Sequence, residues 1–403
     1  MALENKKKEA IAREVIRVLK LRFDTFPDDT VENRNAPFHE RFLRAFRDKL
    51  SELNTDVPTL ISLSSWLHGL NTTLGQSFFE KVAHILSEGE KRVFSKKSGK
   101  SLKIPIELHN EVAQIIDDLA TNSRRPDLVR EDKIIKKTIK KCIKNPSENE
   151  KVDVMDFTAD VYIEDDNSIY MIELKSVRPN KGEMRGEKQK VLFGKAALKY
   201  NNPHKEVQFY LGFPFDPFID TSKDKSLETK GDINNFMEKL VDIKTFFCKD
   251  EILLASNLWD FLSGEEQTME CILKIINDIA TPDFEDIFNE INTYEIFLND
   301  RTKFGSKDFI DKEKLDEIRD KMERWYLYSE AEALSKIMFI NEWLEKNSNN
   351  EGKISQIRKE SKRFKRALYN KMFNSDGNSW RYNKERLERI NEFYDLISSM
   401  VDF

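Results

Sequence analysis

The sequence is poor in the residues that build metal clusters or covalent cross-links. It has three cysteines in 403 residues. Cys142, Cys248 and Cys271 lie far apart without CxxC spacing, which argues against a zinc site or a disulfide framework and suits a reducing cytoplasm. The five histidines, His39, His68, His84, His109 and His204, show no ligand spacing of the HExxH kind. Glycine and proline are scarce, at 13 and 11, so long helices with few extended loops are expected. No stretch approaches the roughly 18 apolar residues of a membrane span, and Lys6-Lys7-Lys8 is followed by no apolar segment. A soluble cytoplasmic protein with no membrane partner is expected.

The chain has ample material for a core, with 39% hydrophobic residues including 28 Phe, under a surface in which 34% of residues are charged. About 150 residues per domain would give two or three units. A net charge of −5 neither favours nor excludes a nucleic-acid partner, but its distribution is uneven. Residues 91–103 and 133–144 are basic without acids, 353–389 are strongly basic, and 265–300 are strongly acidic. Such separation can give one face to a polyanion and repel it elsewhere. Each run reads equally well as a solvated helix face.

Residues 1–104 read as a helical N-terminal region. Helices are expected over 5–24 (stripe Ile11, Val15, Val18, Leu19), 37–53 and 76–88, with a short segment around Trp66 and a loop at 95–101. From 105 to 225 the character changes. A helix over 106–121 repeats Val112, Ile115, Ile116 and Leu119, Pro126 breaks it, and a basic helix follows at 131–144. Asp153 to Ile163 and Ile169 to Lys175 read as strands joined by the turn cluster Glu164 to Ser168, a β-hairpin. A helix over 187–200 and a strand from Glu206 to Phe213 complete this part. Residues 226–403 read as a second helical region, and no fixed-period repeat is present.

The chemistry lies in the hairpin, in Asp160 and in Glu173-Leu174-Lys175. Side chains alternate along a strand, so Glu173 and Lys175 share a face with Met171, while Ile172 and Leu174 point the other way into a core. The hairpin folds Asp160 back beside them. Two carboxylates supply hard oxygen ligands for Mg²⁺, with the Leu174 carbonyl as a further ligand. A lysine beside them can orient or activate water and offset developing charge. Alone, a D…ExK pattern is also common on ordinary sheet surfaces. Here a strongly apolar strand, a hairpin at suitable distance, and the order helix–hairpin–helix–strand strengthen it.

These residues resemble the PD-(D/E)xK nuclease core over about residues 105–215, with Ala159 where the usual proline stands. The loop from Lys175 to Gly186 (KSVRPNKGEMRG) resembles type II restriction endonucleases, in particular the TdeIII-like group associated with the palindrome GGNCC. The resemblance implies an α/β, restriction-endonuclease-like fold with a central mixed sheet flanked by helices, plus large helical additions. It also implies Mg²⁺-dependent hydrolysis of double-stranded DNA leaving 5′-phosphate ends, a homodimer on a palindromic site, and a companion methyltransferase. Some enzymes of this fold carry an acid on an upstream helix, for which Glu111 is the first candidate and Glu107 the second; Asp153 and Asp156 precede the hairpin. Lys181, Arg185, Lys188 and Lys190 follow the catalytic strand and are candidates for phosphate contact, as are Arg358, Lys362, Arg363 and Arg366 in the C-terminal basic run. The alternatives are a repair, resolvase or modified-DNA nuclease on the same core, and a non-catalytic DNA-binding protein.

Overall fold

The computed structural model describes residues 3–23, 57–145, 150–175, 181–219, 229–299, 312–346, 391, 394, 395 and 398. The helix expected at 37–53 and the basic run from Lys353 lie outside them. The chain divides into two compact units, one of residues 1–3 and 25–271, the other of residues 4–24 and 272–403. Among the described residues no helix is long and apolar enough to cross a membrane.

The smaller unit pairs the first helix with the last ones. Helix α1 (Asn5–Phe23) buries Ile11, Val15 and Val18, as its periodicity predicts. Its polar side is tied to C-terminal residues: Arg13 donates to Glu330 at 2.5 Å, and Ser329 donates to Glu9 at 2.9 Å. Residues 4–24 thus group with residues 272–403. No local pattern shows that the partners of Glu9 and Arg13 lie some three hundred residues away.

The larger unit is built on a five-stranded sheet in the order Glu90–Phe94, Phe157–Glu164, Ser168–Leu174, Glu206–Phe213, Ile252–Leu254. Before it come α2 (Val57–Thr73), a π turn, and α3 (Phe79–Ser87); one continuous helix thus replaces the short segment expected around Trp66. Strands β1 (Glu90–Phe94) and β2 (Lys103–Pro105) lead into α4 (Ile106–Ala120) and α5 (Leu128–Lys144). The short β3 (Lys151–Asp153) pairs with β2. Then come the predicted hairpin β4 (Phe157–Glu164) and β5 (Ser168–Leu174), helix α6 (Lys181–Asn201) and strand β6 (Glu206–Phe213). Asp165 makes the hairpin turn by accepting from the backbone N–H of Asn167 and Ser168, both at 2.7 Å, which is the role of Asx residues in tight turns.

The sheet reaches past both expected boundaries. At one edge β1 pairs antiparallel with β4. At the other, β7 (Ile252–Leu254) pairs parallel with β6 after α7 (Ile233–Lys239) and α8 (Val241–Phe246). Three residues of Ile-Leu-Leu are too short to stand out as a strand from sequence, and β1 carries too much charge to do so.

Both sheet faces are covered, so Met171 and Ile172, on opposite faces of β5, are each fully buried. Helix α6 lies on the Met171 face. Helix α9 (Ser256–Ser263) lies on the other, where Phe261 meets Tyr170 and Tyr210 edge-on with centroids 5.5 Å apart. At Gly212 a Cβ would come within 2.9 Å of both Ile172 and Leu258. Overpacking of this kind costs about 1–3 kcal/mol. Gly212→Ala is therefore expected to lower stability by that amount in chemical denaturation, and unchanged stability would show that α9 yields freely.

Candidate active site

The β4–β5 register puts Val161 opposite Ile172, which sets Asp160 beside Glu173 on one face of the sheet. The β1–β4 pairing slips here: Glu90 faces Tyr162 and Arg92 faces Ala159, so Asp160 and Val161 together face the single Lys91. This is a β-bulge, a feature that re-aims a side chain and leaves backbone groups outside the ladder. The ring of His84, on α3, hydrogen-bonds the Asp160 carbonyl at 2.7 Å. The Asp160 carboxylate accepts the Leu174 N–H at 3.0 Å, locking it to the end of β5.

Glu173 is buried. One carboxylate oxygen lies 2.7 Å from the Lys190 ammonium and 3.3 Å from that of Lys175; the other is buried without a hydrogen-bond partner. Burial, then the neighbouring Asp160 charge, push the Glu173 carboxyl up to about 7, against the pull of Lys190. Lys175 also reaches Glu187 at 2.8 Å and Glu183 at 3.7 Å, both on α6. Burial pulls the Lys175 ammonium down, but Glu187 and Glu173 outweigh it and hold it above the ordinary lysine value. The ammonium is therefore held by carboxylates of both β5 and α6.

The Glu173 shift sets a pH dependence. Its folded-state value of about 7 lies above the ordinary carboxyl value of 4.5, so the stability linked to its proton is fully present below that lower value and lost as pH rises through about 7. In metal-free protein, Glu173→Gln is expected to flatten the fall in denaturation free energy across this window. An unaltered slope would place the burial elsewhere.

The site also draws on residues outside the motif. Lys91 bridges Glu80 on α3, at 2.7 Å, and Asp160, at 3.5 Å. Glu80, an acid on a helix upstream of the hairpin, is thus joined to Asp160 through Lys91. The sequence hides it because its helix precedes β1 rather than the hairpin. Glu111 and Glu107 are on α4, which packs on α5 and α6, and Glu107 pairs with Lys141 at 2.5 Å. Glu111 makes no hydrogen bond or ion pair to the Asp160–Glu173 cluster among the described residues. Asp156 accepts from the Lys96 N–H and Asp153 pairs with Lys96, so both serve the loop after β1.

The basic residues of α6 divide. Lys181 is exposed. Arg185 is exposed at the surface and pairs with Asp117 at 2.9 Å. Lys190 turns inward to Glu173 and Glu187. Lys188, expected at a phosphate, is fully buried between Glu131 and Glu251, at 2.7 and 2.6 Å. It cannot touch DNA from there, and its role is to join α5, α6 and the turn before β7. Arg358, Lys362, Arg363 and Arg366 lie outside the described residues.

The donors suit a divalent cation. Two carboxylates face each other across adjacent strands, and one offers a buried oxygen with no partner. Among the described residues no three His, Cys, Asp or Glu side chains converge as a ligand group. A hard ion that keeps several waters and takes one or two protein carboxylates fits that supply better than one needing a closed protein cage.

A mixed sheet flanked by helices, with an acid pair and a lysine at the end of its central hairpin, is the restriction-endonuclease-like fold. The chain belongs to the HinfI family of type II restriction endonucleases, whose family model matches residues 3–280. It is 42% identical over 389 residues to the type II restriction enzyme MjaII of Methanocaldococcus jannaschii, covering 96% of each chain. No solved structure matches it. Enzymes of this class are site-specific deoxyribonucleases acting on double-stranded DNA, and this chain is one of them. The repair-nuclease and non-catalytic alternatives give way to that membership.

Proposed function

We propose that the protein hydrolyses both strands of DNA at a short palindrome in a Mg²⁺-dependent reaction centred on Asp160, Glu173 and Lys175, leaving 5′-phosphate and 3′-hydroxyl ends. The observation that carries this reading is the paired carboxylates of Asp160 and Glu173, one locked by the Leu174 N–H and the other holding a buried free oxygen. Asp160, Glu173 and the Leu174 carbonyl would hold the ion. When bound, Mg²⁺ polarises the scissile phosphate and lowers the cost of ionising a water.

The chain's own residues supply the rest. Lys175, kept protonated by Glu187 and Glu173, places positive charge where the attacking water and the phosphate meet, at no reorganisation cost because α6 already fixes it. Water attacks phosphorus and gives its proton to solvent, the bond to the 3′ oxygen breaks, and that oxygen takes a proton from solvent to leave as the 3′-hydroxyl while the phosphate stays on the 5′ end. Lys181 and Arg185, exposed on the first turns of α6, would hold phosphates flanking the cut, Arg185 by exchanging its Asp117 partner for phosphate. The C-terminal basic run is assigned to DNA contact on its charge alone.

One catalytic centre per chain and a two-fold target together call for a homodimer. A companion methyltransferase would protect the same site in the host. The loop's resemblance to the TdeIII-like group supports GGNCC as the target. Cleavage that stops on chelation and returns with Mg²⁺ would support the metal assignment; cleavage that persists under chelation would refute it.

A further inference from the structure

We propose that the outer face of α5 is a second DNA-binding surface, which holds duplex outside the cleavage site by its phosphates. The proposal rests on the DNA-cleaving reading only for the identity of the polyanion. Helix α5 and Gln208 of β6 bound an open groove of about 880 Å³, lined by every lysine from Lys133 to Lys144. Its one acid, Asp132, is held by Lys195 at 2.6 Å. Lys136 pairs with Glu206, and Lys141 with Glu107. Lys133, Lys137, Lys140 and Lys144 have no acid partner among the described residues.

These four stand at i, i+4, i+7 and i+11, so they form one stripe. Like charges at such spacing destabilise a helix. Lysines in the last turn gain from the helix dipole, which accounts for Lys141 and Lys144 but not for Lys133 and Lys137. The surplus extends beneath the stripe. The Lys199 ammonium is buried without a hydrogen-bond partner, 3.5 Å from Glu206, the carboxylate that also serves Lys136, and burial holds it below the ordinary lysine value against the pull of Asp132 and Glu206. A surface that gathers cations at a cost to its own helix is matched to a polyanion. Eleven residues at 1.5 Å rise make the stripe about 16 Å long. One strand of duplex carries a charge roughly every 3.4 Å of axis, so the stripe spans about five phosphates.

The stripe is separate from the cleavage site. Lys136 meets Glu206 at the first residue of β6, whereas Glu173 lies opposite Leu211. Five residues of strand separate these levels by about 16 Å; Lys137, Lys140 and Lys144 follow Lys136 away from the α5 end where Glu131 pairs with Lys188, while Lys133 lies on that nearer side. The contacts would carry no sequence information; they would raise residence on non-target DNA and supply the target by transfer along it.

The test replaces Lys133, Lys137, Lys140 and Lys144 together by Gln. Affinity for a long non-target duplex is measured against salt without divalent metal, beside cleavage of a short duplex bearing only the mapped target. Each lost phosphate contact lowers the slope of log K against log salt by about 0.9, so the slope is expected to become shallower by about 3 to 4. Short-duplex cleavage and the thermal midpoint should stay unchanged. An unchanged slope would overturn the proposal and assign the stripe to an acidic protein partner. Short-duplex cleavage falling alongside the slope would overturn it too, by placing the lysines in the cleavage complex. A wild type that cuts no duplex would sink the nuclease reading and leave the slope to decide the stripe alone.

Discussion

Lys175→Ala is expected to lower the single-turnover cleavage rate by about 10³-fold with DNA affinity nearly unchanged, because a preorganised charge aimed at the transition state is worth about that much. The substitution removes the ammonium that lies 3.3 Å from Glu173 and 2.8 Å from Glu187 and leaves β5 intact. The first step in checking it is duplex binding in Ca²⁺, followed by a rapid-quench time course in Mg²⁺. A loss below tenfold would remove Lys175 from the chemistry. A rate loss matched by lost binding would make it a DNA contact. Asp160→Asn should show a comparable rate loss with the same retained binding, since the Leu174 N–H can still donate to the remaining carbonyl oxygen.

The second large effect is on the fold. Lys188→Met removes the cation that joins Glu131 and Glu251, each 1% exposed. Burial already pushes the Glu131 carboxyl up despite Lys188. Breaking a buried ion pair by removing one partner costs about 3–5 kcal/mol, and two stranded carboxylates should put this case at the upper end. Chemical denaturation of the full chain reads it. Adding Glu131→Gln and Glu251→Gln keeps the hydrogen bonds from the Asp127 and Cys248 N–H groups and removes the stranded charge. The triple variant is therefore expected to regain most of the loss. Failure to recover would mean that the cluster acts through packing rather than charge.

Lys188 also shows where sequence reading stops. The hairpin, its turn cluster and β6 are local patterns that the sequence places, but residues 181–186, which read as loop around Gly182, form the first turns of α6, ahead of the helix expected over 187–200. The sharing of one face by Asp160 and Glu173 follows from strand alternation and turn length alone. Lys188 and Lys190 stand two residues apart in a run that reads as uniformly basic, yet one is buried and the other turns to Glu173. Which lysine is buried depends on Glu131 and Glu251, from elements 57 and 63 residues away. Glu80 was missed for a similar reason. Its approach to Asp160 depends on a bulge between β1 and β4, and β1 is a strand of mostly charged residues with no alternation to reveal it. The pairing of α1 with Ser329 and Glu330 is likewise long-range.

The most direct test of the central claim is to digest unmethylated plasmid with purified protein in Mg²⁺ and sequence the fragment ends. Discrete fragments are expected, whose ends share one short palindrome and carry 5′-phosphates, with none from the Lys175→Ala protein over the same digestion time. A smear without common ends, or fragments equally abundant with the variant, would contradict it.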